Sequence, residues 1–80
     1  MKAIVKVGLK PGVLDPQGRT IARSLSHLGF DTVKAARQGK IIELDLKDKT
    51  KADAMKSVED MCRQLLANTV IEDYEIEIVE

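Results

Sequence analysis

Few residues in this chain of 80 have side chains suited to chemistry, and they do not gather into a recognisable constellation. His27 is the only histidine and Cys62 the only cysteine. His27 lies beside the apolar stripe of a predicted helix and reads as a structural or surface residue. Cys62 falls within the apolar stripe of a second predicted helix, where a thiol behaves as a small hydrophobe. Thiolate activation needs a basic neighbour, and His27 is the only imidazole available to it. Met55 and Met61 share that stripe and read as core or interface positions. Glu43, Asp45, Glu75 and Glu77 resemble paired carboxylates, but a general acid needs burial or an unneutralised like charge to raise its pKa. These four lie on strand faces interleaved with lysines.

The remaining candidate is the stretch Gly12 to Gly18. A glycine-containing loop between a strand and a helix describes many phosphate sites, because the amides of a helix N-terminus attract anions. This loop has neither the Walker spacing with its Lys-Ser/Thr ending nor the GxGxxG pattern. Asp15 already places a carboxylate where an anion would sit. The loop therefore reads first as a corner of the fold. Pro11-Gly12 signals a turn with positive φ at the glycine, and Asp15-Pro16 signals a helix start, with Asp15 as the cap and Pro16 at the first helical position.

The elements that position these residues follow from periodicity. Ala3, Val5, Val7 and Leu9 alternate with Lys2, Ile4, Lys6, Gly8 and Lys10, a strand with one apolar and one largely basic face. Ile21, Leu25 and Leu28, with Ala22, make the core-facing stripe of a helix from about Pro16 to Leu28, ended by Gly29 in the left-handed conformation. Val33 and Ala35 alternate with Thr32, Lys34 and Ala36. After Gln38-Gly39, Ile42, Leu44 and Leu46 alternate with Ile41, Glu43, Asp45 and Lys47. These two runs are expected to form a hairpin. Asp48-Lys49-Thr50 leads into a second helix, capped by Thr50 with help from Asp53, whose stripe is Met55, Val58, Met61, Cys62, Leu65 and Leu66. It should end near Asn68, which tolerates the left-handed conformation. Tyr74, Ile76 and Ile78 alternate with Asp73, Glu75, Glu77 and Val79 in a fourth strand.

The order is βαββαβ. With right-handed crossovers it predicts an α+β fold over residues 1–80: a single ferredoxin-like two-layer sandwich with two helices on one face of an antiparallel sheet of order 4-1-3-2. Charge agrees with that order. The fourth strand offers Glu75 and Glu77, the first Lys2 and Lys6, the third Glu43 and Asp45, and the second Lys34. Neighbours across the sheet thus alternate in sign.

Composition sets the remaining bounds. Thirteen basic and thirteen acidic residues cancel, leaving no global field to draw nucleic acid or an anionic membrane. No apolar run approaches the roughly 20 residues that span a bilayer, and the sequence opens on the strand pattern rather than a signal peptide. The expectation is a cytoplasmic protein. Phe30 and Tyr74 are the only aromatic residues, so the core is aliphatic and small. Such cores are commonly supplemented by disulfides, metal or oligomerisation. With one cysteine and no ligand cluster, self-association is expected.

The segment Gly8 to Gly18, reading Gly-Leu-Lys-Pro-Gly-Val-Leu-Asp-Pro-Gln-Gly, resembles a known family. So do Leu28-Gly29-Phe30, Gly39-Lys40 and the run from Leu65 to Tyr74, Leu-Leu-Ala-Asn-Thr-Val-Ile-Glu-Asp-Tyr. The family is the small subunit, PurS, of phosphoribosylformylglycinamidine synthase. Thr69 departs from the proline usual there. The resemblance implies a subunit without chemistry of its own, in a complex of de novo purine biosynthesis. In that complex a synthetase subunit uses ATP and Mg to activate formylglycinamide ribonucleotide, and a glutaminase subunit releases ammonia from glutamine. The small subunit, a homodimer or homotetramer that binds no cofactor, bridges the two and supports ammonia transfer. Partner contacts are expected at Leu14, Asp15, Pro16, Gln17 and Gly18 and at Asn68, Glu72, Asp73 and Tyr74. Two other functions share the βαββαβ order. One is a regulatory module that binds a small molecule such as an amino acid. The other is RNA binding on the open sheet face, which needs aromatic platforms on the middle strands that Phe30 and Tyr74 do not supply.

Overall fold

The computed structural model describes residues 1–47 and 50–80. Asp48 and Lys49, at the predicted entry to the second helix, lie outside the described residues. Three antiparallel strands form one sheet: β1 (Lys2–Leu9) at the centre, β2 (Gly39–Asp45) on one side and β3 (Glu72–Val79) on the other. Helices α1 (Pro16–His27) and α2 (Lys51–Met61) complete the α+β architecture.

The alternation read from the sequence decides which side chains are covered. Ala3, Val5 and Val7 of β1 are buried, and Ile42, Leu44, Tyr74, Ile76 and Ile78 of the flanking strands join them on the same face. From above, α2 contributes Ala54 and Val58, and Cys62 follows them. The opposite face carries the alternating charges. Lys6 lies between Glu75 and Ile41, and Lys2 between Val79 and Asp45. Strands predicted as third, first and fourth are therefore neighbours in the expected order.

The predicted second strand does not form, so the four-strand order 4-1-3-2 is replaced by three strands. Residues 33–38 are without regular structure, and no turn separates them from β2. Local anchoring outweighs the weak period of Val33 and Ala35. The Gln38 amide donates to Asp15 Oδ2 at 2.9 Å, and the Arg37 guanidinium donates to the carbonyls of Leu9 and Lys10 at 2.7 and 3.1 Å. These bonds hold the chain against the start of α1, where a hairpin would need it to fold back along β2.

Helix α1 is also not where its stripe predicted. Ile21 and Leu28 are exposed, and no residue from 10 to 41 enters the hydrophobic core. Only α2 covers the sheet. The radius of gyration, 16.0 Å, exceeds the roughly 12 Å of a compact chain of this length. Accessible surface shows the same excess: 6077 Å² against about 4,800 Å² for a monomer of this mass.

At the end of α2 one further expectation fails. Its last turn widens into a π-turn (Cys62–Leu66), with the Ala67 amide bonded to the Cys62 carbonyl at 3.1 Å. The widened turn takes Leu65, predicted as core, to 83% exposure. The helical stretch ends just before Asn68 as expected, without using a left-handed residue there, for no residue but glycine has positive φ among the described residues. Its side chain instead builds the turn into β3, with Oδ1 accepting the Val70 amide at 3.2 Å.

Candidate functional site

The end of β1 and the start of α1 form a corner whose geometry follows from a few turn and cap residues. Lys10 and Val13 close a turn through a 3.1 Å bond, with Gly12 at φ 86° as the Pro11-Gly12 signal requires. Asp15 then caps α1. Its Oδ1 accepts the Gly18 amide at 2.8 Å while Oδ2 takes the amide of Gln38, and Pro16 holds the first helical position. One carboxylate thus ties the helix start to the residue just before β2, more than twenty positions further along the chain. These two amides, the Gln38 bond foremost, and the positive Arg37 nearby hold the Asp15 carboxyl below its ordinary pKa. Gly18 lies where a Cβ would stand 2.3 Å from the Ala36 carbonyl oxygen, so only glycine permits this approach.

The segment leading into β3 reaches the same corner. The Lys10 amide donates to the Ile71 carbonyl at 2.8 Å, which fixes the loop to the start of β3. Glu72 reaches back from β3 to accept the Asn68 amide at 2.7 Å. Between these pieces is an open cavity of about 380 Å³, bordered by Asp15, Pro16, Gln17, Gln38, Lys40 and Glu72 and floored by the end of β1. Asp15, Pro16, Gln17 and Glu72, drawn from segments far apart in sequence, meet here. Gly18 is buried beneath them. The structure does not bring the other expected contact residues to this cavity. Leu14 borders a separate hollow with Arg19 and Arg23, Asn68 serves the turn, Tyr74 packs against the core and Asp73 faces outward.

Arg37, Gln38 and Lys40 belong to the corner and were not among the expected contacts. Their polar cluster around Gly39 was the available signal. A Cβ on Gly39 would stand 2.5 Å from the Val7 carbonyl oxygen, so this glycine permits close strand pairing rather than a tight hairpin.

The chemistry-bearing residues lie elsewhere. Cys62 is fully buried, and that burial, with the charge of Glu59, pushes its thiol pKa up, away from nucleophilic use. His27 is exposed at the end of α1, and Asp31 follows beyond the reversal at Gly29. Among the described residues no three His, Cys, Asp or Glu side chains gather to hold a metal. No described helix is long and apolar enough to cross a membrane.

Fold and corner together define a small α+β protein with an open cavity where three segments of the chain meet. Residues 2–80 match the family model described as PurS: phosphoribosylformylglycinamidine (FGAM) synthase, and the chain belongs to this family. It is 47% identical over 77 residues to the subunit PurS of phosphoribosylformylglycinamidine synthase from Methanocaldococcus jannaschii, covering 96% of this chain and 93% of that one. The Bacillus subtilis PurS subunit is 44% identical over 79 residues, 99% of this chain and 93% of the relative. Among solved structures, M. jannaschii PurS superposes with a TM-score of 0.87 over 99% of this chain and 98% of that one. A chain in the structure of PurLQS from Thermotoga maritima gives 0.89 at 36% identity, over 98% and 95%. The match does not favour the amino-acid-sensing reading.

Proposed function

We propose that this chain is the non-catalytic small subunit of a phosphoribosylformylglycinamidine synthase complex in purine biosynthesis, joining the glutaminase and synthetase subunits. The full-length family match carries this reading. ATP and Mg are used by the synthetase subunit, and this chain binds no cofactor. It works as a homodimer or homotetramer in the cytoplasm. Ammonia is mostly protonated in neutral water and then no longer nucleophilic, so an assembly that excludes water along its path serves the reaction.

The corner at Asp15, Pro16, Gln17 and Glu72 is the surface proposed to meet a partner subunit. Hydrogen bonds from Lys10 to Ile71 and from Gly18 and Gln38 to Asp15 tie three segments together there, and a preformed surface binds at lower entropic cost than a mobile one. Leu14, Asn68, Asp73 and Tyr74 flank or support it. The test is assembly: the purified chain, mixed with glutaminase and synthetase subunits in the presence of glutamine and nucleotide, forms a ternary complex resolved by sedimentation. Gln17→Glu combined with Glu72→Lys, which alters the corner surface, weakens that complex at least tenfold. Assembly that proceeds unaltered would place the contact elsewhere.

A further inference from the structure

Helix α1 carries charge of one sign only. Between Pro16 and His27 there is no acidic residue, while Arg19, Arg23 and His27 recur every four positions. At 3.6 residues per turn that spacing sets the three in one row, about 12 Å from first to last. We infer that this row, with the hollow beside Leu14, docks an acidic segment of one of the two enzyme subunits, whose carboxylates lie along the row while an apolar side chain between them fills the hollow. The inference rests on the bridging function proposed above and names the chemistry of the surface that the partner presents.

Three observations carry it. First, the row is accessible and is not neutralised within the chain. Arg19, Arg23 and His27 are all exposed, and the one ion pair among the described residues joins Arg63 to Asp60 at the end of α2. Ile21 and Leu25 lie on the other side of the helix, so any apolar contact made by that side leaves the row facing outward. Second, the arrangement works against the isolated helix. Like charges four residues apart repel across one turn, and Arg19 stands near the helix start, where the macrodipole disfavours a cation. Carboxylates laid along the row reverse both effects.

Third, the row borders an apolar recess. Leu14, 64% exposed, and Pro16 form with Arg19, Thr20 and Arg23 a hollow of about 260 Å³. A nucleic-acid backbone has no aliphatic group for such a recess, and the balanced charge of the chain gives it no long-range pull. An acidic protein segment has both parts: carboxylates that pair with guanidinium groups in a two-bond fork, and an aliphatic side chain for the hollow. Pro16 also borders the corner cavity, so the row continues the surface proposed to meet a partner.

The test uses the full chain with the purified glutaminase and synthetase subunits, singly and together, with glutamine and nucleotide present and affinities measured at low and at high salt. Arg19→Glu combined with Arg23→Glu is expected to weaken binding to one subunit by about tenfold or more and to remove most of its salt dependence. The circular dichroism and the sedimentation of the chain alone should not change. Arg19→Lys with Arg23→Lys keeps the salt dependence. Lys51→Glu with Lys56→Glu, at exposed positions of α2, makes the same change of net charge and should leave the affinity nearly unaltered. Equal losses in the two acidic variants overturn the inference, because net charge alone would then account for binding. A change in self-association would give the row to a second copy of this chain, and a labelled RNA oligonucleotide released by Arg19→Glu with Arg23→Glu while subunit binding persists would give it to nucleic acid; either result overturns the inference. If the wild-type chain assembles and the arginine variant assembles equally well, the row is not the docking surface and the bridging function stands. A wild-type chain that binds neither subunit, singly or together, removes both.

Discussion

Two regions of this small molecule are held in shape by different physics. The sheet with α2 is ordered by burial: Val5, Val58 and Cys62 are completely enclosed, and every residue of the core comes from β1, β2, β3, α2 or the segments next to them. The region from 10 to 41 is ordered by hydrogen bonds at its ends. Helix α1 has twelve residues, below the length at which an isolated helix is more than marginal in water. Asp15 starts it, and Gly29 stops it at φ 99°, with the Phe30 amide bonded to the Leu25 carbonyl and the Gly29 amide to that of Ser26, both at 3.0 Å. Caps define where such a helix begins and ends without supplying the packing that stabilises it.

Substitutions separate the two regions, and the largest expected effect is in the first. Val58→Ala leaves a cavity in a fully enclosed site and should cost roughly 2–3 kcal/mol, read from urea unfolding. In the second region, Gly18→Ala drives a Cβ into the Ala36 carbonyl, and about 1–3 kcal/mol of strain is expected. Chemical shifts from Asp15 to Gln38 should move while those of α2 do not. Movement throughout both regions would show the corner and core to be one unit.

A smaller effect tests the carboxylate. Asp15→Asn keeps one acceptor oxygen for two amides, so the thermal midpoint should fall by several degrees at neutral pH. Because the native Asp15 pKa is depressed, its contribution is present above the ordinary carboxylate range, near pH 4, and is lost as pH falls through the lower native value. The wild-type advantage over Asp15→Asn should shrink across that window. The smallest effect belongs to Leu65→Gln, within about 0.5 kcal/mol, since the π-turn leaves this leucine 83% exposed. A loss of 2 kcal/mol or more would return Leu65 to the core stripe that a regular helix predicts.

Legibility in the sequence followed the same division. Where burial governs, alternation was sufficient: β1, β2 and β3, the neighbours of the central strand and the cover by α2 all follow from apolar period and charge. Caps and turns at Gly12, Asp15, Gly29 and Thr50 were also legible, because each depends on residues within a few positions. Thr50 Oγ1, for example, accepts the Asp53 amide at 3.1 Å. Illegible were outcomes set by distant competition. Val33 and Ala35 carry a strand period, but Arg37 and Gln38 are held by the β1 loop and Asp15, bonds that no local pattern announces. The stripe of α1 predicted a core-facing helix, and the structure leaves Ile21 and Leu28 exposed, because periodicity marks an apolar face without fixing what packs on it. The π-turn added a residue to one turn, a change the 3.6-residue period cannot register. At the corner, the two segments expected to contact partners were named from resemblance; their meeting around one cavity appeared only in three dimensions.

The central claim is that this chain connects catalysts and performs no catalysis. The direct measurement is formation of formylglycinamidine ribonucleotide by purified synthetase and glutaminase subunits, with and without this chain, supplied either with glutamine or with ammonium salt. Omitting the chain should abolish the glutamine-dependent rate and leave the ammonia-dependent rate unchanged. A glutamine-dependent rate that persists at full strength without the chain would contradict the account.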